Sequence, residues 1–283
     1  MKRPLDPNKY EMDPDDGLIR EVVGPWARDK HERLTKYIDI SKNVRQKFLR
    51  GPAKEATFID LYSGSGRARI RDSDDVIDGS CVAGWKAAEI GGRFFTRVII
   101  ADRDKEILAA AEYRLRIAGA PVQTYLGDAE DIVDKIRVSL NPHGLHFAFL
   151  DPYNLNDLPF SVLHAFAKCK RIDLLIHISL GDLQRNLTKY LSQANSPLDR
   201  FAPGWRQKVV GIGDQVIMRG KTFEHWRELL LTLSLHTTEA IELVRGPDNQ
   251  RLYWLALVAH DPKALEFWTK ISAIGPKQLN MFD

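Results

Sequence analysis

Cysteine is scarce in this chain: two residues in 283, Cys81 and Cys169, at a spacing that matches no metal or redox motif. That excludes a disulfide framework and a thiolate metal site, and leaves both as small reduced hydrophobes. No run approaches the roughly 18 apolar residues of a membrane-spanning helix. The N-terminus is charged and proline-rich and lacks the apolar stretch of a signal peptide, so a cytoplasmic protein is expected. Net charge is only +3, too small to argue nucleic-acid binding by itself. There is no internal repeat and no low-complexity tract. The aspartates of interest lack nearby His or Glu partners, so no metal site is expected. What the chain does have is 44% hydrophobic residues over 283 positions, enough for one large core with additions.

The informative stretch is residues 58–66, Phe-Ile-Asp-Leu-Tyr-Ser-Gly-Ser-Gly. An apolar strand carrying Asp60 near its end runs into a glycine turn, where Gly64 and Gly66 let the backbone turn sharply and approach a ligand. In an open α/β sheet the ligand crevice lies beyond the carboxyl ends of the strands. The D-x-x-x-G-x-G pattern resembles motif I of the S-adenosylmethionine (SAM) methyltransferases; Arg69 stands where a dinucleotide fingerprint would need its third glycine. Tyr62 lies in the same turn and joins the candidate cofactor-binding residues.

Three more strands follow in the right order. Residues 97–102 end in Asp102, placed to accept hydrogen bonds from ribose hydroxyls. Residues 121–128 end in Gly127-Asp128, with Asp128 placed to meet an adenine amino group. Residues 146–150 end in Asp151-Pro152-Tyr153-Asn154. Each aspartate alone also suits a helix or turn cap; four at strand ends together indicate a cofactor site. Further strands are expected at 172–180, 239–244 and 252–259, the last two as a hairpin. The fold class predicted is α/β: a class I SAM-methyltransferase (Rossmann-like) sheet, mostly parallel with an antiparallel last strand, plus an N-terminal helical extension.

Asp151-Pro152-Tyr153 resembles the D-P-P-Y motifs of methyltransferases that act on amino nitrogens of bases. There the acidic side chain and prolyl carbonyl accept hydrogen bonds from the target amine, and the aromatic ring stacks on the base. One proline is missing here and Asn154 follows the tyrosine; the alternative is that Asp151 caps or supports the glycine turn. His177, inside an apolar run, reads as a core histidine.

The charge pattern divides the chain further. Residues 1–23, with an acidic cluster at Asp13, Asp15 and Asp16, read as a flexible arm. Residues 24–50 read as a basic helical extension, since Arg28 to Arg50 holds eight Lys/Arg against three Asp/Glu. Residues 51–262 form the methyltransferase-like domain and 263–283 a C-terminal helix and tail. A polar excursion over 67–78 precedes Ser80, read as a helix N-cap, and its Arg67, Arg69 and Arg71 are candidate phosphate contacts. Residues 192–221 read as a loop with a basic-aromatic patch (Arg200, Phe201, Trp205, Arg206, Lys208) that either holds an extended substrate or covers the core.

The whole chain resembles one family, the three-Cys-motif partner proteins. Gly24-Pro25-Trp26-Ala27-Arg28-Asp29-Lys30-His31 with Leu34 and Tyr37 is similar to its opening W-x-x-x-K-h-x-x-L-x-x-Y helix. Residues 59–67 are similar to its D-l-F-A-G-P-G-r motif, Asp78-Gly79-Ser80 to its G-S-P, and residues 149–153 to its F-l-D-P-y-G. The resemblance spans roughly residues 24–275. The departures are Tyr62, Ser63, Ser65, Cys81 and Asn154. It implies a bacterial, methyltransferase-like protein paired with a radical-SAM-like protein bearing three cysteines. Two functions are open. One is SAM-dependent methyl transfer to an amino group of a nucleic-acid base or nucleotide, with Asp151, Pro152 and Tyr153 catalytic. The other is a non-catalytic nucleotide- or SAM-binding module of that partner.

Overall fold

The computed structural model describes residues 6–238, 242–245 and 251–272. In chain order the elements are β1 (Tyr10–Met12), β2 (Ile19–Val23), α1 (Trp26–Ile40), α2 (Lys42–Arg50), β3 (Ala56–Asp60), β4 (Arg67–Ile70), β5 (Val76–Asp78), α3 (Ser80–Ile90), β6 (Arg97–Asp102), α4 (Lys105–Ile117), β7 (Val122–Leu126), α5 (Ala129–Ser139), β8 (Leu145–Leu150), α6 (Phe160–Phe166), β9 (Ile172–Ile178), α7 (Leu180–Ser192), α8 (Pro197–Phe201), α9 (Trp205–Val209), α10 (Gln215–Thr232), β10 (His236–Thr237), β11 (Glu242–Arg245), β12 (Arg251–Ala259) and α11 (Pro262–Ser272). They fall into two units, residues 1–128 with 143–149, and residues 129–142 with 150–283.

In the first unit, β3 is buried at every residue, which suits Ala56, Phe58 and Ile59 and requires the polar Thr57 and Asp60 to find hydrogen-bond partners. It pairs in parallel with β8 on one side and β6 on the other, and β6 pairs in parallel with β7. Helix α3 packs closely on β3 because Gly84 has no side chain: a Cβ there would sit 2.6 Å from the Phe58 ring. Phe58 stacks with Phe95 and Phe147 at centroid distances of 5.5 and 5.8 Å. Tyr37 of α1 reaches Phe147 at 5.0 Å, so the N-terminal helices are built into this core.

The same unit holds a second sheet, in the order β1-β2-β4-β5. Within the arm expected over 1–23, Tyr10–Met12 and Ile19–Val23 form β1 and β2, and the polar excursion expected over 67–78 holds the β4–β5 hairpin. Strands of three to five residues are too short to sustain a hydrophobic period, and ion pairs described below hold them together.

In the second unit β12 runs antiparallel to β9, with β10 and β11 also antiparallel to β12. The architecture is therefore the α/β, Rossmann-like one, mostly parallel with an antiparallel last strand. The expected loop over 192–221 contains α8, α9 and the start of α10. The expected hairpin falls on β11 and β12, while residues 239–241, 246–250 and the tail from 273 lie outside the described residues. Among the described residues no helix is long and apolar enough to cross a membrane.

Candidate functional site

Asp60 closes β3 with its side chain fully buried. A buried carboxylate is costly unless hydrogen-bonded, and two donors meet it. The Tyr62 backbone N–H donates to Oδ1 at 3.2 Å and the Ser80 hydroxyl donates to Oδ2 at 2.6 Å. Ser80 is thus not the N-cap of α3. Gly79 holds that position, and Ser80 inside the first turn ties the helix to the end of β3.

Between them lies the glycine turn. Gly64 and Gly66 have φ of +55° and +78°, the left-handed region that disfavours side chains. A Cβ on Gly66 would also stand 3.2 Å from Ala111 Cα of α4. Asp102, at the end of β6, turns back to this loop: its carboxylate accepts from the Gly64 N–H and, at 2.8 Å, from the Asp104 N–H. Burial raises its pKa above the ordinary carboxylate value, and those N–H contacts oppose the rise. The structure thus brings Asp60, Tyr62, Gly64, Gly66 and Asp102 to one end of the parallel strands. Asp128 follows Gly127 after β7 and is exposed.

Two residues that sequence reasoning missed stand against the turn. Glu21 of β2 packs its carboxylate on Gly64, where any Cβ would collide with it, and accepts from the Ser65 N–H at 3.4 Å. Tyr10, opposite Glu21 in the β1–β2 register, is half-buried. Its pKa is driven up, first by burial and then by the charges of Glu21 and Asp102.

Of the three arginines expected to meet phosphate, two are engaged by carboxylates of the N-terminal segment. Arg69 forks onto Glu11, its Nε 2.7 Å from Oε1 and its second nitrogen 2.8 Å from Oε2. Arg67 pairs with the buried Asp13 at 3.0 Å and with Asp15. Arg71 is exposed beyond the end of β4. Arg114 of α4 donates to both oxygens of Asp16 and, at 2.7 Å each, to the carbonyls of Ile19 and Ser65. Arg67, Arg69 and Arg114 thus pair with Asp13, Asp15, Glu11 and Asp16, and these pairs fix the β1–β2 hairpin to the glycine turn. The basic helical extension is similarly engaged: Arg28 pairs with Asp75, Lys36 with Glu32 and Lys42 with Asp39. Arg45 is buried over the Phe95 ring at 4.5 Å and donates to the Arg93 and Ile38 carbonyls.

In the second unit, Asp151 follows β8 directly, Pro152 is buried and Tyr153 is 69% exposed. Asn154, which stands in place of the motif's next residue, has a local job: its side chain accepts from the Asn156 and Asp157 N–H groups and caps a 3-10 turn over Leu155–Asp157. The buried Asp182 accepts from the Leu155 N–H at 3.1 Å and from Tyr190 OH at 2.8 Å, anchoring the loop. His177, near the carboxyl end of β9, places Nδ1 3.3 Å from Asp151 Oδ1 while its ring leans on Tyr253 at 4.4 Å. The core-histidine reading misses this contact, because the partner is far away in sequence.

The aromatic members of the basic-aromatic patch are core, while Arg200 and Lys208 are exposed. Trp205 and Phe201 are buried, Phe201 stacks on Trp226 at 5.4 Å, and Arg206 satisfies Asp199 together with the carbonyls that end α7. Cys81 is buried with its thiol pKa pushed up by desolvation, which leaves it inert as a nucleophile. Among the described residues no group of three or more His, Cys, Asp or Glu is gathered to hold a metal ion.

No family model and no curated protein matches this chain. Solved structures similar to it include an O-methyltransferase from Bacillus cereus in complex with SAH, at 12% identity and a TM-score of 0.49 over 84% of this chain and 82% of that one. Protein LPL1258 from Legionella pneumophila gives 11% identity and 0.49 over 86% and 93%. The O-methyltransferase TomG from Streptomyces achromogenes, involved in tomaymycin synthesis and in complex with SAM, gives 15% and 0.44 over 84% and 92%. The fold class rests on this chain's own strand order, and its function has to come from its own site.

Proposed function

We propose that this protein binds SAM at the glycine turn and transfers its methyl group to an amino nitrogen of a nucleobase or nucleotide. The observation that carries the reading is the charge of the cradle. Glu21, Asp60 and Asp102 surround the turn, while nearby Arg67, Arg69 and Arg114 are neutralised by Asp13, Asp15, Asp16 and Glu11. A polyphosphate nucleotide would face carboxylates there, whereas a cationic sulfonium ligand is favoured by them. Asp102 suits the ribose hydroxyls; Gly64 and Gly66 suit close backbone approach. When bound, SAM would supply an electrophilic methyl on its sulfonium.

For the acceptor, the reading rests on the sequence motif Asp151-Pro152-Tyr153. Asp151 accepts a hydrogen bond from the target amine and so raises the electron density on nitrogen, and the exposed Tyr153 ring offers a stacking surface for a planar base. His177 Nδ1 stands 3.3 Å from Asp151 Oδ1, within ion-pair distance when the imidazole is protonated. With Arg67 and Arg69 engaged internally, the acceptor is read as a single nucleotide or exposed base, not a long phosphate backbone. Pairing with a three-cysteine protein is supported by the sequence resemblance alone.

The test is radiolabelled methyl transfer from SAM to bacterial nucleotides, RNA and DNA, with and without a three-cysteine protein. Asp151→Ala should cut transfer by orders of magnitude and leave SAM affinity near that of wild type, because its contact forms with the acceptor. Equal incorporation by both proteins overturns the assignment of Asp151. No incorporation under any condition, with clear SAM binding, supports the non-catalytic module instead.

A further inference from the structure

The β1–β2 hairpin brings a carboxylate to the glycine turn from a segment that precedes the Rossmann-like strands in the chain. Three observations define its position. The Glu21 carboxylate lies directly over Gly64: a Cβ on that glycine would stand 2.2 Å from its Oε2. It accepts from the Ser65 N–H, so it is oriented into the turn. Its strand partner Tyr10 experiences Glu21, Asp102 and Asp104 as negative neighbours, against one opposing positive charge from Arg103. The hairpin is not free to swing away, because Arg114 links Asp16 and the Ile19 carbonyl to the Ser65 carbonyl of the turn itself.

We infer that Glu21 is a ligand-binding residue, taking the α-ammonium of the amino-acid end of the bound cofactor and setting the site's preference for amino-acid-bearing nucleosides. The inference rests on the SAM reading above and deepens it. A ligand whose ribose sits on Asp102 extends its other end along Gly64–Ser65, and there Glu21 is the carboxylate in place. An ammonium is the group of that ligand that donates hydrogen bonds and carries a positive charge in both SAM and its demethylated product. A charge-assisted contact of this kind strengthens binding of both and is indifferent to a nucleoside that lacks the amino-acid chain. The same carboxylate repels phosphate groups at that end of the site.

The experiment is calorimetric titration of wild type, Glu21→Gln and Glu21→Asp with SAM, S-adenosylhomocysteine, methylthioadenosine and ATP. Glu21→Gln is close in shape, and its thermal unfolding is measured alongside. Its affinity for SAM and S-adenosylhomocysteine should fall at least about tenfold, with methylthioadenosine unchanged. Glu21→Asp, which keeps the charge but shortens the reach, should fall between the two and serves as the test if the glutamine variant is unstable. Unaltered SAM affinity in the variants overturns the inference. So does an equal loss for methylthioadenosine, which would mean that Glu21 acts only by holding the turn. Wild-type protein that binds none of the nucleosides overturns the SAM reading itself, a result separate from either of these.

Discussion

Arg114→Ala tests whether the N-terminal hairpin is a built part of the glycine-turn site. The Arg114 side chain is 8% exposed and makes four hydrogen bonds between 2.7 and 2.9 Å, two to Asp16 and two to backbone carbonyls. Adding four charge-assisted bonds at about 1.5–3 kcal/mol each gives about 6–12 kcal/mol. That sum overshoots, because water can reach Asp16, whose side chain is 19% exposed, and Asp16 still accepts from the Leu18 N–H. Removing one partner of a buried pair is worth about 3–5 kcal/mol, and the surviving partners favour the lower end. At about 2–4 °C per kcal/mol for a large domain, a 3 kcal/mol loss lowers Tm by about 6–12 °C. Hydrogen exchange locates the effect: the Asp13 and Val22 amides, bonded to the Leu18 and Lys9 carbonyls, should lose protection before the β3 and β6 amides do. Arg114→Lys keeps the charge without the planar fork and should fall between. A Tm within about 2 °C of wild type, with hairpin protection unchanged, refutes the reasoning.

Acid should release the same hairpin. Arg69 holds Glu11 at a pKa of about 2, and the Arg114 contacts lower that of Asp16. Folded values below unfolded ones mean the stabilisation is present above the ordinary carboxylate range and lost as pH falls through the folded values. Hairpin amides should therefore gain exchange between about pH 4.5 and 2 beyond the intrinsic pH trend, and Glu11→Gln should lower their protection already at neutral pH and flatten that acid dependence; a pH-independent wild-type hairpin contradicts this. Ser80→Ala leaves one oxygen of the buried Asp60 without its 2.6 Å donor and should destabilise by about 1.5–3 kcal/mol in denaturant titration, while Ser80→Thr retains most of the stability. A neutral alanine variant would mean that Asp60 takes another donor.

The glycine turn and most of the parallel strands were legible because β3, β6 and β8 are mainly apolar and lead into a carboxylate; β7, with Gln123 and Thr124 and no buried residue, was marked chiefly by the Gly127-Asp128 after it. Buried strands carry that signal without help from distant residues. Asp60, Gly64, Gly66 and Asp102 meet as their strand ends require. The small sheet was not legible: in Arg67-Ala68-Arg69-Ile70 the alternation is plain, yet the charged side chains read as phosphate contacts because their carboxylate partners lie more than fifty residues upstream. Ser80 was singled out for the wrong bond, since a hydroxyl at a helix start is ordinarily a cap and its reach back to Asp60 depends on how α3 packs. His177 looked like core from its neighbours on β9 and only the fold brings it to Asp151. Trp205 and Phe201 belong to short helices with too few turns to show a period.

The most direct measurement is a crystal structure of the protein with S-adenosylhomocysteine at saturating concentration. The account predicts the ribose hydroxyls on Asp102, the nucleoside chain across Gly64 and Gly66, and the amino-acid end at Ser65 facing Glu21. Density for the ligand away from the glycine turn, or none at all at that concentration, would contradict it.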